Sequence, residues 1–117
     1  MSALRDGVPV AVHVEFRGAL TAGGEDAFAA FAGSAAGHAG APGLVLEAFV
    51  ADRVAGSLAG FAVWDCDASA AEFYASEEWA WSIDELGVAP TFRYLEVGSL
   101  VLFGGHVTPA DAVSLVA

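Results

Sequence analysis

Residues 10–18 read VAVHVEFRG, and the two-residue period of this stretch decides the fold. In an extended chain successive side chains point to opposite sides. Val10, Val12, Val14 and Phe16 then form one apolar face, and Ala11, His13, Glu15 and Arg17 form the other. The first face needs a core to lie on. The second carries an imidazole, a carboxylate and a guanidinium in a row, which suits either open solvent or a polar-lined pocket.

Four further segments extend this reading. Phe28, Phe31, Ala32, Ala35 and Ala39 recur at helical spacing and predict a helix over about 25–39, with Glu25 and Asp26 in its first turn. Thr21 stands before it as a candidate cap. Gly33 and Gly37 each weaken such a helix by about 1 kcal/mol, so it needs a sheet for support. The apolar runs at about 44–51 and 58–64 flank the turn DRVAGS and predict an antiparallel hairpin. A second helix, capped by Asp67 or by Ser69 at capping-box spacing from Glu72, is expected to run to Leu86, with a jog near Ser76 and Gly87 just past its end. The last strand spans about 91–97 or beyond, and Thr108-Pro109 opens a short helical tail over about 108–117.

The order is β-α-β-β-α-β, an α+β, ferredoxin-like pattern with a four-stranded antiparallel sheet and two helices on one face. One domain accounts for all 117 residues, with a core over about 8–103. The other sheet face is expected to be rich in apolar residues. The economical cover for it is the same face of a second copy, so a homodimer is expected. The 56% hydrophobic content, above the usual ~45–50%, also calls for burial at an interface or in a ligand cavity.

Fifteen acidic residues stand against four arginines and no lysine, a net charge of −11. Nucleic acids and anionic membranes both require a cationic face, so neither is an expected partner. Cys66 is the single cysteine and His13, His38 and His106 are far apart, so no intrachain disulfide or metal-ligand motif is expected. No glycine-rich phosphate loop joins a strand to a helix. The opening MSALRDGVPV has no signal-like apolar run and no stretch approaches a membrane span, giving a cytoplasmic expectation. The lysine-free, alanine- and glycine-rich composition fits a bacterial source.

The ordered segments VAVHVEFRG, GAPGLVLEAFVAD, AGFAVWDCDASAAEFY, DELGV and YLEVGSL resemble the YdhR-like monooxygenases, of the dimeric α+β barrel group that includes the antibiotic-biosynthesis monooxygenases. The resemblance runs over about 10–102. It implies a homodimer whose two sheets form a barrel, with a pocket between each sheet and its helices or within the barrel. It also implies oxygenation of a small molecule without metal, flavin or other cofactor, and a histidine in the first strand, where His13 stands. The chain departs from the family at ASEEWAWSIDELG, where Trp79 and Trp81 alter the expected pocket wall.

His13 and Glu15, same-face neighbours with Cα atoms roughly 7 Å apart, are candidates for a base and its partner. Arg17 is expected as a salt-bridge partner. Glu47 interrupts an apolar strand. A carboxylate buried there must be paired, and an arginine is its expected partner unless it acts chemically itself. Trp64, Tyr74, Trp79, Trp81, Arg93 and Tyr94 are candidates for binding a flat aromatic or polyketide-like substrate. Trp79 and Trp81 lie about 200° apart around a helix, so at most one faces a given ligand. Tyr94 and Glu96 share one strand face, Arg93 and Leu95 the other. His38 is expected as a surface residue at a helix end. Three functions remain open: cofactor-independent oxygenation in secondary metabolism, acid–base cyclisation, isomerisation or dehydration in the same pocket, and non-catalytic ligand binding.

Overall fold

A computed structural model describes residues 7–102 and 105–107. Residues 1–6 and 103–104 and the expected helical tail over 108–117 lie outside them. β1 (Val10–Phe16) leads to α1 (Ala19–Gly33) and the single turn α2 (Ala35–His38). β2 (Leu44–Asp52) and β3 (Ser57–Trp64) form the hairpin. α3 (Asp67–Tyr74), α4 (Glu77–Ile83) and a 3₁₀ turn (Asp84–Leu86) precede β4 (Thr91–Glu96). A small hairpin, β5 (Leu100–Leu102) and β6 (Gly105–Val107), follows. The main sheet has the order β2-β3-β1-β4 and is antiparallel throughout, as expected for a ferredoxin-like fold.

The period-two reading of β1 holds. Val10, Val12, Val14 and Phe16 are buried in the principal core with Phe31, Leu58, Trp64, Ala70 and Trp79, beneath the helices. Ala11 lies on the opposite face, in a second cluster with Val45 and Val63. Val97 and Leu100 pack against this cluster. The last strand region is therefore two strands: β4 ends at Glu96, the Val97 amide donates to the Pro9 carbonyl at 2.9 Å, and β5 follows after Gly98 and Ser99. The turn lets the chain lay part of itself over one corner of its own open sheet face.

The first helix begins earlier than its apolar stripe predicts. Gly18, at φ 76°, is its N-cap, and the helix kinks at Gly24 (φ 64°). Thr21 does not cap. Its hydroxyl and its amide, with the Leu20 amide, all donate to the Gly56 carbonyl in the β2–β3 turn. The predicted continuation to Ala39 is interrupted at Ser34, whose hydroxyl donates to the Phe31 carbonyl at 2.6 Å and competes with the helical ladder. A similar serine splits the second helix. Ser76 accepts from the Trp79 amide at 3.2 Å as the α4 N-cap and donates to the Phe73 carbonyl. This is the jog expected near Ser76. Gly87, at φ 69°, ends the segment as expected, while the N-cap of α3 is Cys66 rather than Asp67 or Ser69.

Candidate functional site

The sheet separates the predicted site residues into two groups. His13 and Glu15 lie on the face away from the helices. His13 stands opposite Phe61 on β3 and Arg93 on β4, and Glu15 opposite Ala59 and Thr91. The Arg17 guanidinium is 3.5 Å from Glu15, the salt bridge expected of it. Around this polar row the face is apolar and open: Phe61, Leu95 and Val50 are 37%, 40% and 43% exposed.

Glu47 is on the helix side, because its register partner is Ala62, which belongs to the principal core. It cannot share a substrate atom with His13 and Glu15 across the sheet. Its partner is not an arginine. His38 Nδ1 lies 2.8 Å from Glu47 Oε1, and the two side chains are 8% and 10% exposed. His38 is therefore buried, contrary to the surface position its place at a helix end suggests. The break at Ser34 redirects the chain so that α2 turns the imidazole inward between Phe49 and Phe73, with ring centroids 5.5 and 5.0 Å away. A carboxylate can only accept, so opposite an ionised Glu47 a neutral imidazole carries its hydrogen on Nδ1 and its lone pair on Nε2. Nε2 is buried with no hydrogen-bond partner among the described residues.

The substrate-binding candidates also divide. Trp64, Tyr74, Trp79 and Tyr94 are on the helix side, packed in or against the principal core. Arg93 is on the open face, as the register of β4 requires. Trp81 is 83% exposed while Trp79 is buried, matching their opposed positions around the helix. The Trp64 indole N–H donates to the Tyr74 hydroxyl at 3.3 Å. Burial is the main cause that raises the Tyr74 phenol above its ordinary pKa, and the nearby Glu47 charge adds to it. Tyr94 is raised in the same direction, by burial first and by Asp67 second.

Aromatic contacts run without a break from Phe16 through Phe31, Phe49 and His38 to Phe73, and on through Tyr74 to Trp79 and Phe92. His38 and Glu47 are embedded in this lane. A cavity of about 450 Å³ between α2 and α4 is lined by Gly33, Ser34, His38, Glu78, Trp81 and Asp84. A second, of about 340 Å³, shares Gly37 and Glu78 with it and is walled by Phe73 and Ser76. Through His38 and Phe73 both cavities adjoin the lane, in which a ring nitrogen is buried beside a carboxylate. Among the described residues no group of three or more histidine, cysteine or acidic side chains is arranged to hold a metal ion, and no helix is long and apolar enough to cross a membrane.

Sequence reasoning reached Glu47 through its position in an apolar strand, but missed His38. The available signal was indirect: a buried carboxylate needs a partner, and in a chain with four arginines a histidine was an equal candidate.

No family model and no curated protein matches the sequence. Solved structures do. A Nitrosomonas europaea protein of unknown function, NE2512, is similar at a TM-score of 0.66 and 17% identity, over 86% of this chain and all of that one. An antibiotic-biosynthesis-monooxygenase candidate from Deinococcus radiodurans gives 0.62 at 16% identity, over 82% of this chain and 99% of that one. SnoaB, a cofactor-independent oxygenase from Streptomyces nogalater, gives 0.55 at 19% identity, over 82% of this chain and 97% of that one. The chain thus has the ferredoxin-like fold of antibiotic-biosynthesis-monooxygenase-like proteins.

Proposed function

We propose that this chain is a small-molecule tailoring enzyme, a cofactor-independent monooxygenase acting on a flat aromatic or polyketide-like substrate in secondary metabolism. The observation that carries the reading is the aromatic lane on the helix side of the sheet, with a buried histidine–glutamate pair in it and cavities beside it. Likeness in fold to a cofactor-independent oxygenase supports the choice of reaction. The working unit is a homodimer in which the open sheet faces, carrying Phe61, Leu95 and Val50, cover one another.

Oxygenation without a cofactor asks the substrate to supply the electrons. A deprotonated phenol is electron-rich enough to react with O₂, and the protein contributes a base, an apolar site and exclusion of water. For a two-ring phenol such as 1-naphthol the balance is one phenol plus one O₂ giving one quinone plus one water. The substrate is oxidised by four electrons and O₂ is reduced, one oxygen atom entering the ring and the other leaving as water.

The test is oxygen uptake and product analysis on a panel of two- and three-ring phenols, with 1-naphthol first. The reading expects O₂ consumed and quinone formed in equal amounts, and no product without oxygen. A rearranged, cyclised or dehydrated product formed anaerobically would replace it with acid–base chemistry, which the same histidine–glutamate pair could serve.

A further inference from the structure

We infer that His38 and Glu47 are a proton-accepting pair for a neutral phenolic or enolic hydroxyl, with His38 Nε2 as the accepting atom and Glu47 as the positioning residue. The inference rests on the helix-side pocket proposed above and adds the base and the ligand group it recognises.

Three observations carry it. The first is the 2.8 Å contact between Nδ1 and Glu47 Oε1, which in a neutral imidazole places the hydrogen on Nδ1 and leaves a lone pair on Nε2. The second is that Nε2 is buried and has no hydrogen-bond partner among the described residues, in a side chain that is 8% exposed. A buried polar atom without a partner is costly, and native folds rarely keep one unless it has a role. The third is the surroundings. The imidazole lies between Phe49 and Phe73, and His38 is among the residues that line the 450 Å³ cavity. Glycine and serine leave room there, and Trp81 supplies an exposed aromatic flank.

The charges select the ligand. Glu78 and Asp84 stand at the cavity, Glu47 lies behind the histidine, and the chain as a whole carries −11. An anionic ligand is repelled, whereas a neutral hydroxyl can enter and lose its proton inside. In that step the ligand O–H bond breaks and an Nε2–H bond forms, and the electron pair stays on the ligand oxygen. The resulting imidazolium is held by Glu47 through Nδ1–H. No oxidant or reductant takes part.

The experiment uses the full-length protein labelled with ¹⁵N and two probes of equal shape, 1-naphthol and 1-methoxynaphthalene, the second lacking the proton. In the unliganded protein the His38 ring should show a protonated Nδ1 and a bare Nε2. Saturation with 1-naphthol should shift the Nε2 resonance strongly, and 1-methoxynaphthalene should not. By calorimetry 1-naphthol should bind roughly three- to tenfold more tightly than its methyl ether, the worth of one hydrogen bond. Glu47→Leu and His38→Phe should abolish that preference. The wild-type measurement stands even where a variant fails to fold.

Equal binding of the two probes, no binding of 1-naphthol, an unchanged Nε2 resonance, or a starting tautomer protonated at Nε2 would each overturn the inference. A naphthol-dependent Nε2 shift without oxygen uptake would leave the pair standing and remove the oxygenase reading. Oxygen uptake that persists in folded His38→Gln would do the reverse.

Discussion

The Trp64 indole N–H donates to the Tyr74 hydroxyl at 3.3 Å, tying the end of β3 to the last residue of α3 across the core. Trp64 is fully buried, and the two rings meet edge to face at 5.7 Å. This contact fixes one wall of the aromatic lane in which His38 and Glu47 sit.

Tyr74 therefore contributes to a decline of stability at alkaline pH. Burial raises its pKa above the unfolded value of about 10. The folded state then holds the phenolic proton over a range in which the unfolded chain releases it. The contribution is intact below about pH 10 and is lost as pH rises through the folded pKa. Tyr74→Phe should cost about 1 kcal/mol near neutrality, because Trp64 loses its acceptor. It should also flatten the alkaline decline. Thermal unfolding of both proteins from neutral to strongly alkaline pH measures this, and parallel declines would show that Tyr74 is not the responsible group. Tyr94, raised in the same direction, accounts for part of any decline that remains.

The turn at Gly56 makes a second prediction. Its φ is +70°, its carbonyl accepts from the Leu20 and Thr21 amides, and a Cβ added there would collide with the Thr21 hydroxyl. Gly56→Ala should destabilise by more than the ~1–2 kcal/mol of a left-handed alanine alone. Gly7→Ala, also at positive φ but with open space around it, should cost less. Denaturant melts of the two variants compare them directly, and equal midpoints would mean that α1 shifts freely against the β2–β3 turn.

The open face makes a third. Phe61 sits at its centre, opposite His13 on β1 and Ala48 on β2. A homodimer closed through this face should bury more than ~2,000 Å² in total. Sedimentation should show a dimer at micromolar concentration, and Phe61→Asp should yield a folded monomer. A wild-type monomer, or a Phe61→Asp dimer, would place the subunit contact elsewhere or remove it.

The strands were legible because their information is local. The alternation in residues 10–16 and the short turn between the two apolar runs follow from the chain's own geometry, and they suffice for the order of elements and the hairpin. The helix breaks were half legible. Ser76 sits between two helical patterns and was read as a jog, but Ser34 lies inside a continuous apolar stripe that hides it. His38 was not legible. It precedes an alanine–glycine pair, as exposed helix ends do, and its burial depends on Glu47 from β2 and Phe73 from α3. No periodicity reports such contacts. The sides taken by Arg93 and Tyr94 likewise awaited the pairing of β4 with β1.

The central claim is that proton transfer occurs on the helix side of the sheet, at His38. The most direct measurement is turnover of a phenol accepted by the wild-type enzyme, in folded His38→Gln and His13→Ala proteins side by side. A general base contributes about 10²–10⁴ in rate. The account predicts that His38→Gln loses turnover by that order, since glutamine cannot take up the proton. Near wild-type turnover in His38→Gln, with the loss appearing in His13→Ala instead, would contradict it and put the base on the open face beside Glu15.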